Sequence, residues 1–284
     1  MQRPQELRCN NAKDASQEQV ATMTSIASWA AVDTHGVSAL YIASDSRITW
    51  ATKDFWNQGR KTFASHSHPY IFGYWGDVLF PALAIPLVIE RLDSGTIAIN
   101  PSRPYGAIGN AIRRLWLDYP STARHDAGIL VGHRLGSGTR AKFTLAIFTY
   151  SASSDKWSRR SIDMPSSSAI LRVAGSGAAH VHAARRLWDV SAHSGTSRAV
   201  FSAFCEALEA GEDTRSGGAP QLVGLYRIGD GRTFGVVHAG HRYVGGARIT
   251  SGEPGKIAWF NRLFERVDPR SGRRLTGAQR HQPR

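Results

Sequence analysis

A threonine, a lysine and a few serines and carboxylates are the side chains here that could do hydrolytic chemistry. A threonine hydroxyl is a poor nucleophile at neutral pH and needs a base within hydrogen-bonding reach. A threonine at a free N-terminus carries one, because an α-amine titrates at about 7.7–8.0. An internal threonine has an amide nitrogen, which is not basic. Thr24 stands where the first apolar run begins. Taken singly, it and its companions have ordinary readings. Thr24 could simply start a strand. Asp45 and Lys61, 16 positions apart, could be a surface ion pair worth about 0–1 kcal/mol. Gly76 could be a turn glycine, Ser176 the N-cap of an alanine-rich helix, and Asp213 and Ser216 could shape a turn.

Other chemistries find less support. His66 and His68, and His180 and His182, invite a metal reading. An i, i+2 pair shares a face on a strand but not on a helix. The second pair lies in a predicted helix, and neither pair has a carboxylate or cysteine cluster beside it. No GxSxG elbow is present. The glycine-rich stretch GHRLGSG (132–138) does not match the phosphate-cradling GxxxxGK[ST] and reads as a strand running into a turn.

These residues must be held by elements that the sequence marks out. TSIASWAAV and SALYIASDS read as two strands joined at the turn DTHG, and RITWATKDFWNQGRK as an irregular connection. Two short strands flank His68 and Pro69 and end at Gly76. Two helices follow, the first carrying Pro81 near its start and Pro86 as an expected kink. The second places Ile108, Ile112 and Leu115 at helical spacing. Strands return from 127 to 175, with KWSRRSIDM among them. A helix pair follows, then the strands QLVGLYRIG, RTFGVVHAG and HRYVGGARIT. Strands grouped in this way argue against a parallel Rossmann-type sheet. They predict an α+β fold in which two antiparallel sheets carry a helix pair on each outer face, a four-layer αββα sandwich.

Composition bounds the rest. The chain has 284 residues, 42% of them hydrophobic, enough for a core. The two cysteines, Cys9 and Cys205, have no metal-type or framework spacing, and Cys205 reads as a small core residue on a helix. No apolar run is long enough to span a membrane, and residues 1–22 contain no secretory apolar stretch, so a cytoplasmic location is expected. The formal charge is +13, and residues 262–284 alone carry seven Arg against Glu265 and Asp268. That end has no apolar period and reads as a solvated tail. A nucleic-acid role has only the charge in its favour and is not expected.

Five blocks then give a resemblance. IASDSRIT (42–49) with Asp45, GRKTF with Lys61, FGYWGD with Gly76 and Asp77, VAGSG with Ser176, and EDTRSGG with Asp213, Ser216 and Gly217 occur in this order. They resemble the signatures of proteasome β-subunits. The similarity is greatest to the bacterial single-type, HslV-like and ancestral-β-subunit-like members of the N-terminal-nucleophile (Ntn) hydrolase family. There are departures. The first hairpin is about five residues longer than the family's, and Met23 stands where self-processing subunits have glycine. The chain beyond about residue 245 has no recognised counterpart.

The resemblance implies the following. Residues 1–23 are a leader, a propeptide or a mis-assigned start, with Met23 expected as the true beginning. Residues 24–250 form the Ntn hydrolase domain, and 251–284 a basic extension, disordered in part. Thr24 is the nucleophile of a threonine-type peptidase working through an acyl-enzyme. Asp45 holds Lys61 beside it, Ser176 helps relay protons, Asp213 and Ser216 orient the amine, and Gly76 is the oxyanion-hole donor. Phe63, Ala64 and residues near Tyr74 are expected to line the specificity pocket. No cofactor or metal is implied. The partners implied are a peptide or unfolded-protein substrate, further copies in a ring or helical stack, and an ATPase unfoldase. A non-proteolytic amidase and an inactive scaffold subunit are the alternative readings.

Overall fold

The computed structural model describes residues 24–50, 54–253 and 255–279. Met23, Cys9, the whole 1–23 segment and residues 280–284 lie outside the described residues. The first strands alternate as a sheet buried on both faces requires. In β1 (Ser25–Asp33) and β2 (Gly36–Ser44), Ile26, Leu40 and Ile42 point one way, and Ala27, Trp29, Tyr41 and Ala43 the other. β10 (Ala169–Gly175), β11 (Gln221–Tyr226), β12 (Arg232–His238), β13 (His241–Val244) and β14 (Ala247–Ile249) extend this sheet in the order β10-β1-β2-β11-β12-β13-β14. The second sheet runs β5 (Thr62–Ala64), β6 (Tyr70–Gly76), β7 (Ala127–Leu135), β8 (Lys142–Ser151), β9 (Lys156–Ile162), each pair antiparallel.

Three apolar clusters separate four layers. Ile26, Leu40 and Ile42 meet Ile71, Leu130 and Leu145 between the sheets. Trp29 and Tyr41 pack under α3 (Ala178–Asp189) and α4 (Ser197–Ala210), where Val181, Phe201, Phe204 and the buried Cys205 lie. Tyr70, Phe72 and Tyr74 pack under α1 (Leu79–Asp93) and α2 (Gly106–Leu117) against Ile85, Val88, Ile108 and Ile112. The α+β, αββα expectation holds. No described helix is long and apolar enough to cross a membrane.

Three stretches differ in detail from the sequence reading. The expected irregular connection contains a hairpin, β3 (Ile48–Trp50) with β4 (Asp54–Trp56), and it exposes Trp50, Phe55 and Trp56. HRYVGGARIT is two strands, because Gly245 and Gly246 both take positive φ and turn the chain back. Beyond 255, Trp259, Phe260, Phe264 and Val267 are buried against the sheet, while residues 270–277 stay exposed. β15 (Trp259–Phe260) runs parallel to β12, and Phe264 enters the Trp29 cluster with ring centroids 5.7 Å from Trp29 and 5.1 Å from Tyr41. These aromatic residues follow no helical or strand period, so composition alone saw only the arginines around them.

Buried on β7, His133 sets its ring 4.5 Å from that of Tyr70 at a tilt of 33°, and its Nδ1 has no hydrogen-bond partner among the described residues. Burial, with Arg134 adjacent, pushes its pKa from 6.5 to about 4. The unfolded chain therefore binds a proton that the native chain refuses, and stability falls as pH drops through this window. Between about pH 7 and about pH 5 the group removes about 2 kcal/mol. Urea midpoints at the two pH values should diverge in the native chain and draw together in His133→Phe. An unchanged difference would remove His133 as the cause.

Candidate active site

Thr24 immediately precedes β1 and is fully buried. Its φ is +95°, a region that β-branched residues avoid. Lys61, just ahead of β5, reaches up from the second sheet. Its Nζ donates to Thr24 Oγ1 at 3.0 Å and to Asp45 Oδ1 at 2.8 Å, with both charged side chains fully buried. The ordinary surface-pair reading of Asp45 and Lys61 is thereby excluded. Burial pushes the Lys61 pKa below its usual range, and the attraction of Asp45 opposes it.

Asp45 follows β2 at the end where Thr24 lies. Besides Lys61, its carboxylate accepts the backbone N–H groups of Ser25 at 3.0 Å, Arg47 at 3.1 Å and Gly217 at 3.0 Å. Four donors make this buried charge tolerable and fix its rotamer. The residue is therefore a rigid post between the start of β1 and the turn after α4.

The three remaining polar candidates form a second arc. Ser176 Oγ donates to Asp213 Oδ2 at 2.6 Å and lies 3.5 Å from the carbonyl oxygen of Thr24. It does not cap α3: the N-cap is Gly177, with no side-chain capping bond. Asp213 Oδ1 accepts the N–H of Arg215, and Ser216 N–H donates to the Asp213 carbonyl, so the two close their own turn. The Ser216 hydroxyl pairs with Ser25 Oγ at 2.9 Å. Thr24, Asp45, Lys61, Ser176, Asp213 and Ser216 thus converge on the start of β1.

Gly76 stands apart. It ends β6 at φ +86°, and a Cβ there would strike the backbone of Asp126 and Ala127. Among the described residues no hydrogen bond joins it to Thr24. Asp77 anchors α1, accepting the N–H groups of Leu79 and Phe80 at 3.3 and 3.2 Å. Phe63 and Ala64 line a cavity of about 440 Å³ with Pro86, Ile89 and Glu90.

The sequence reading missed Ser25, Gly177 and Gln221. Ser25 gives no signal beyond its place after Thr24. A methyl group on Gly177 would overlap the Ser25 hydroxyl and approach Asp213 Oδ2 and Ser216 Oγ, each at 3.2 Å. Its φ is ordinary, −82°, so crowding alone makes glycine necessary. Gly177→Ala should leave the backbone unstrained yet slow Thr24 chemistry by about 10²-fold, since a 1 Å displacement of a reacting group can have that effect. Full reactivity in the purified variant would show that the polar arc does not position Thr24.

Among the described residues no group of His, Cys, Asp or Glu could hold a metal ion. His180 Nδ1 pairs with Glu212 at 2.7 Å, and His68 Nδ1 lies 3.4 Å from Asp93.

Neither a family model nor a curated protein sequence matches the chain. Solved structures do. The chain is similar in structure to HslV and Anbu. Anbu (ancestral beta-subunit) from Yersinia bercovieri matches with TM-score 0.49 and 11% identity, over 73% of this chain and 86% of that one. Eukaryotic HslV from Trypanosoma brucei matches with TM-score 0.44 and 13% identity, over 71% of this chain and 99% of that one. Anbu from Hyphomicrobium sp. strain MC1 matches with TM-score 0.47 and 14% identity, over 73% and 86%. At these identities the likeness concerns the course of the chain and not the reaction.

Proposed function

We propose that this protein is a threonine-type amide hydrolase that cleaves peptide bonds through an acyl-enzyme on Thr24. The observation that carries the reading is the buried line Thr24 Oγ1, Lys61 Nζ, Asp45 Oδ1, at 3.0 and 2.8 Å. A buried ammonium aimed at a hydroxyl oxygen stabilises the alkoxide that forms as the proton leaves. The proton goes to the α-amine of Thr24 once that amine is free. Oγ1 then bonds to the substrate carbonyl carbon. The intermediate collapses as the scissile C–N bond breaks, and the departing nitrogen takes the proton from the α-ammonium. The ester left on Thr24 is hydrolysed by water along the same proton route. Gly76 N–H is the proposed oxyanion donor. The peptide or unfolded-protein substrate, the homo-oligomer and the ATPase unfoldase belong to the same proposal.

Rate should rise as the α-amine loses its proton, near its ordinary 7.7–8.0. It should fall again as Lys61 loses its own, below the ordinary lysine value because burial lowers that pKa. The test is exposure of the protein, with Thr24 N-terminal, to a peptide epoxyketone, followed by peptide mapping of the adduct. An adduct on Thr24 with this bell-shaped rate profile is expected. Turnover of peptides with Thr24 unmodified would place the chemistry elsewhere.

A further inference from the structure

The Lys61–Asp45 pair is held through its main chain by one buried side chain from the neighbouring strand. Gln221 opens β11 and is 1% exposed. Its Oε1 accepts the backbone N–H of Lys61 at 2.9 Å, the N–H of Thr62 at 3.3 Å and the Thr62 hydroxyl at 3.4 Å. Its Nε2 donates to the carbonyls of Asp45 at 2.9 Å and Gly59 at 2.7 Å. One carboxamide thus ties the backbone carrying the carboxylate to the backbone carrying the ammonium, with every polar atom satisfied. A buried amide in that state has a single low-energy orientation.

The amide is also stopped from outside. The β13–β14 turn brings Gly246, φ +84°, onto it: a Cβ there would lie 2.6 Å from Ser46 Cβ and 3.0 Å from Gln221 Nε2. The turn thus closes on the amide from one side and on the residue after Asp45 from the other. It belongs to the part of the chain beyond the five sequence blocks.

We propose that Gln221 is a positioning residue that sets the separation of Lys61 and Asp45, and that the β13–β14 turn at Gly246 is the stop that keeps its amide in place. This rests on the reading of Thr24 and Lys61 given above. In that reading a shift in the main chain of either partner moves Nζ relative to Oγ1, where small displacements change rates steeply.

The experiment compares the chain beginning at Thr24 as wild type, Gln221→Ala, Gly246→Ala and Gly240→Ala. Gly240 lies in the turn before β13 at φ +75° with nothing within 4 Å of a Cβ, so it carries the backbone strain without the contact. Two readouts are taken. One is the epoxyketone rate constant on Thr24 as a function of pH. The other is the titration of Lys61, followed by the NMR signal of its ε-carbon, with Asp45, Asp213 and Arg47 as the charged groups acting on it. Gln221→Ala should slow labelling about 10- to 100-fold with the inhibitor's half-saturation kept. It should also move the Lys61 titration toward the ordinary lysine value, because water enters the vacated space. Gly246→Ala should follow it in the same direction, and Gly240→Ala should match wild type. A purely structural Gln221 would lower the melting temperature and leave both readouts at wild-type values, and that result overturns the proposal. So would Gly246→Ala indistinguishable from Gly240→Ala, which remains decisive if Gln221→Ala does not fold. Absence of any Thr24 adduct in wild type defeats the functional reading instead. The Lys61 titration then still decides whether Gln221 sets the pair.

Discussion

Replacing Lys61 by alanine is expected to slow acylation of Thr24 by about 10²–10³-fold, the scale on which loss of one pre-aimed donor is felt. The alkaline limb of the rate profile should vanish with it, because that limb is the loss of the Lys61 proton. The variant should still fold. Removing one partner of a buried pair destabilises by about 3–5 kcal/mol, but Asp45 keeps the N–H groups of Ser25, Arg47 and Gly217. Lys61→Met, which fills the volume without the charge, separates packing from electrostatics and should be as slow as alanine. Epoxyketone labelling and a thermal melt of each variant check this. Labelling within a few-fold of wild type, in protein that melts cooperatively, would exclude Lys61 from the chemistry.

The second large effect concerns the bond before Thr24. A chain begun at Met23, from which methionine is trimmed because threonine is small, should react with the epoxyketone. The 284-residue chain should be inert until the residues before Thr24 are removed. The chemistry demands a free α-amine, since an amide nitrogen accepts no proton at neutral pH. The backbone points the same way. With a peptide bond before it, Thr24 sits at φ +95°, and a non-glycine residue held in such a region is strained by about 1–3 kcal/mol. An N-terminal residue has no φ, so cutting that bond releases the strain and supplies the amine together. N-terminal sequencing beside the labelling assay decides the matter. Equal reactivity with residues 1–23 still attached would rule out Thr24 as an N-terminal nucleophile.

Side chains that act by charge were easier to find in the sequence than those that act by fit. Asp45 and Lys61 stand in distinctive blocks at a telling separation, and Lys61 Nζ does bridge Asp45 and Thr24. Ser176 and Asp213 were legible too, although the competing cap reading of Ser176 fell only when its hydroxyl was seen on Asp213. Gly177 and Gln221 were not. One is needed because a methyl group would collide with atoms about 40 residues away and more. The other matters because its amide meets four backbone groups from four residues. Such needs arise from tertiary placement and leave no local pattern. The layers were readable because alternation in β1, β2 and β6 records a face on each side. The β3–β4 hairpin was not, because its exposed aromatics follow no burial pattern.

Phe264 sits among Trp29, Tyr41, Phe201 and Phe260, so an early-made strand and a residue made long after it share one cluster. A ribosome releases β1 early and Phe264 late. Until then the space beneath α3 and α4 lacks its central ring, and the α3 end of the Thr24 arc, with Ser176 and Gly177, rests on an unfinished support. The arrival of Phe264 is in this sense the moment at which the candidate nucleophile acquires a rigid floor. The order in which residues are joined thus delays the packing beneath the proposed nucleophile until Phe264 has been made.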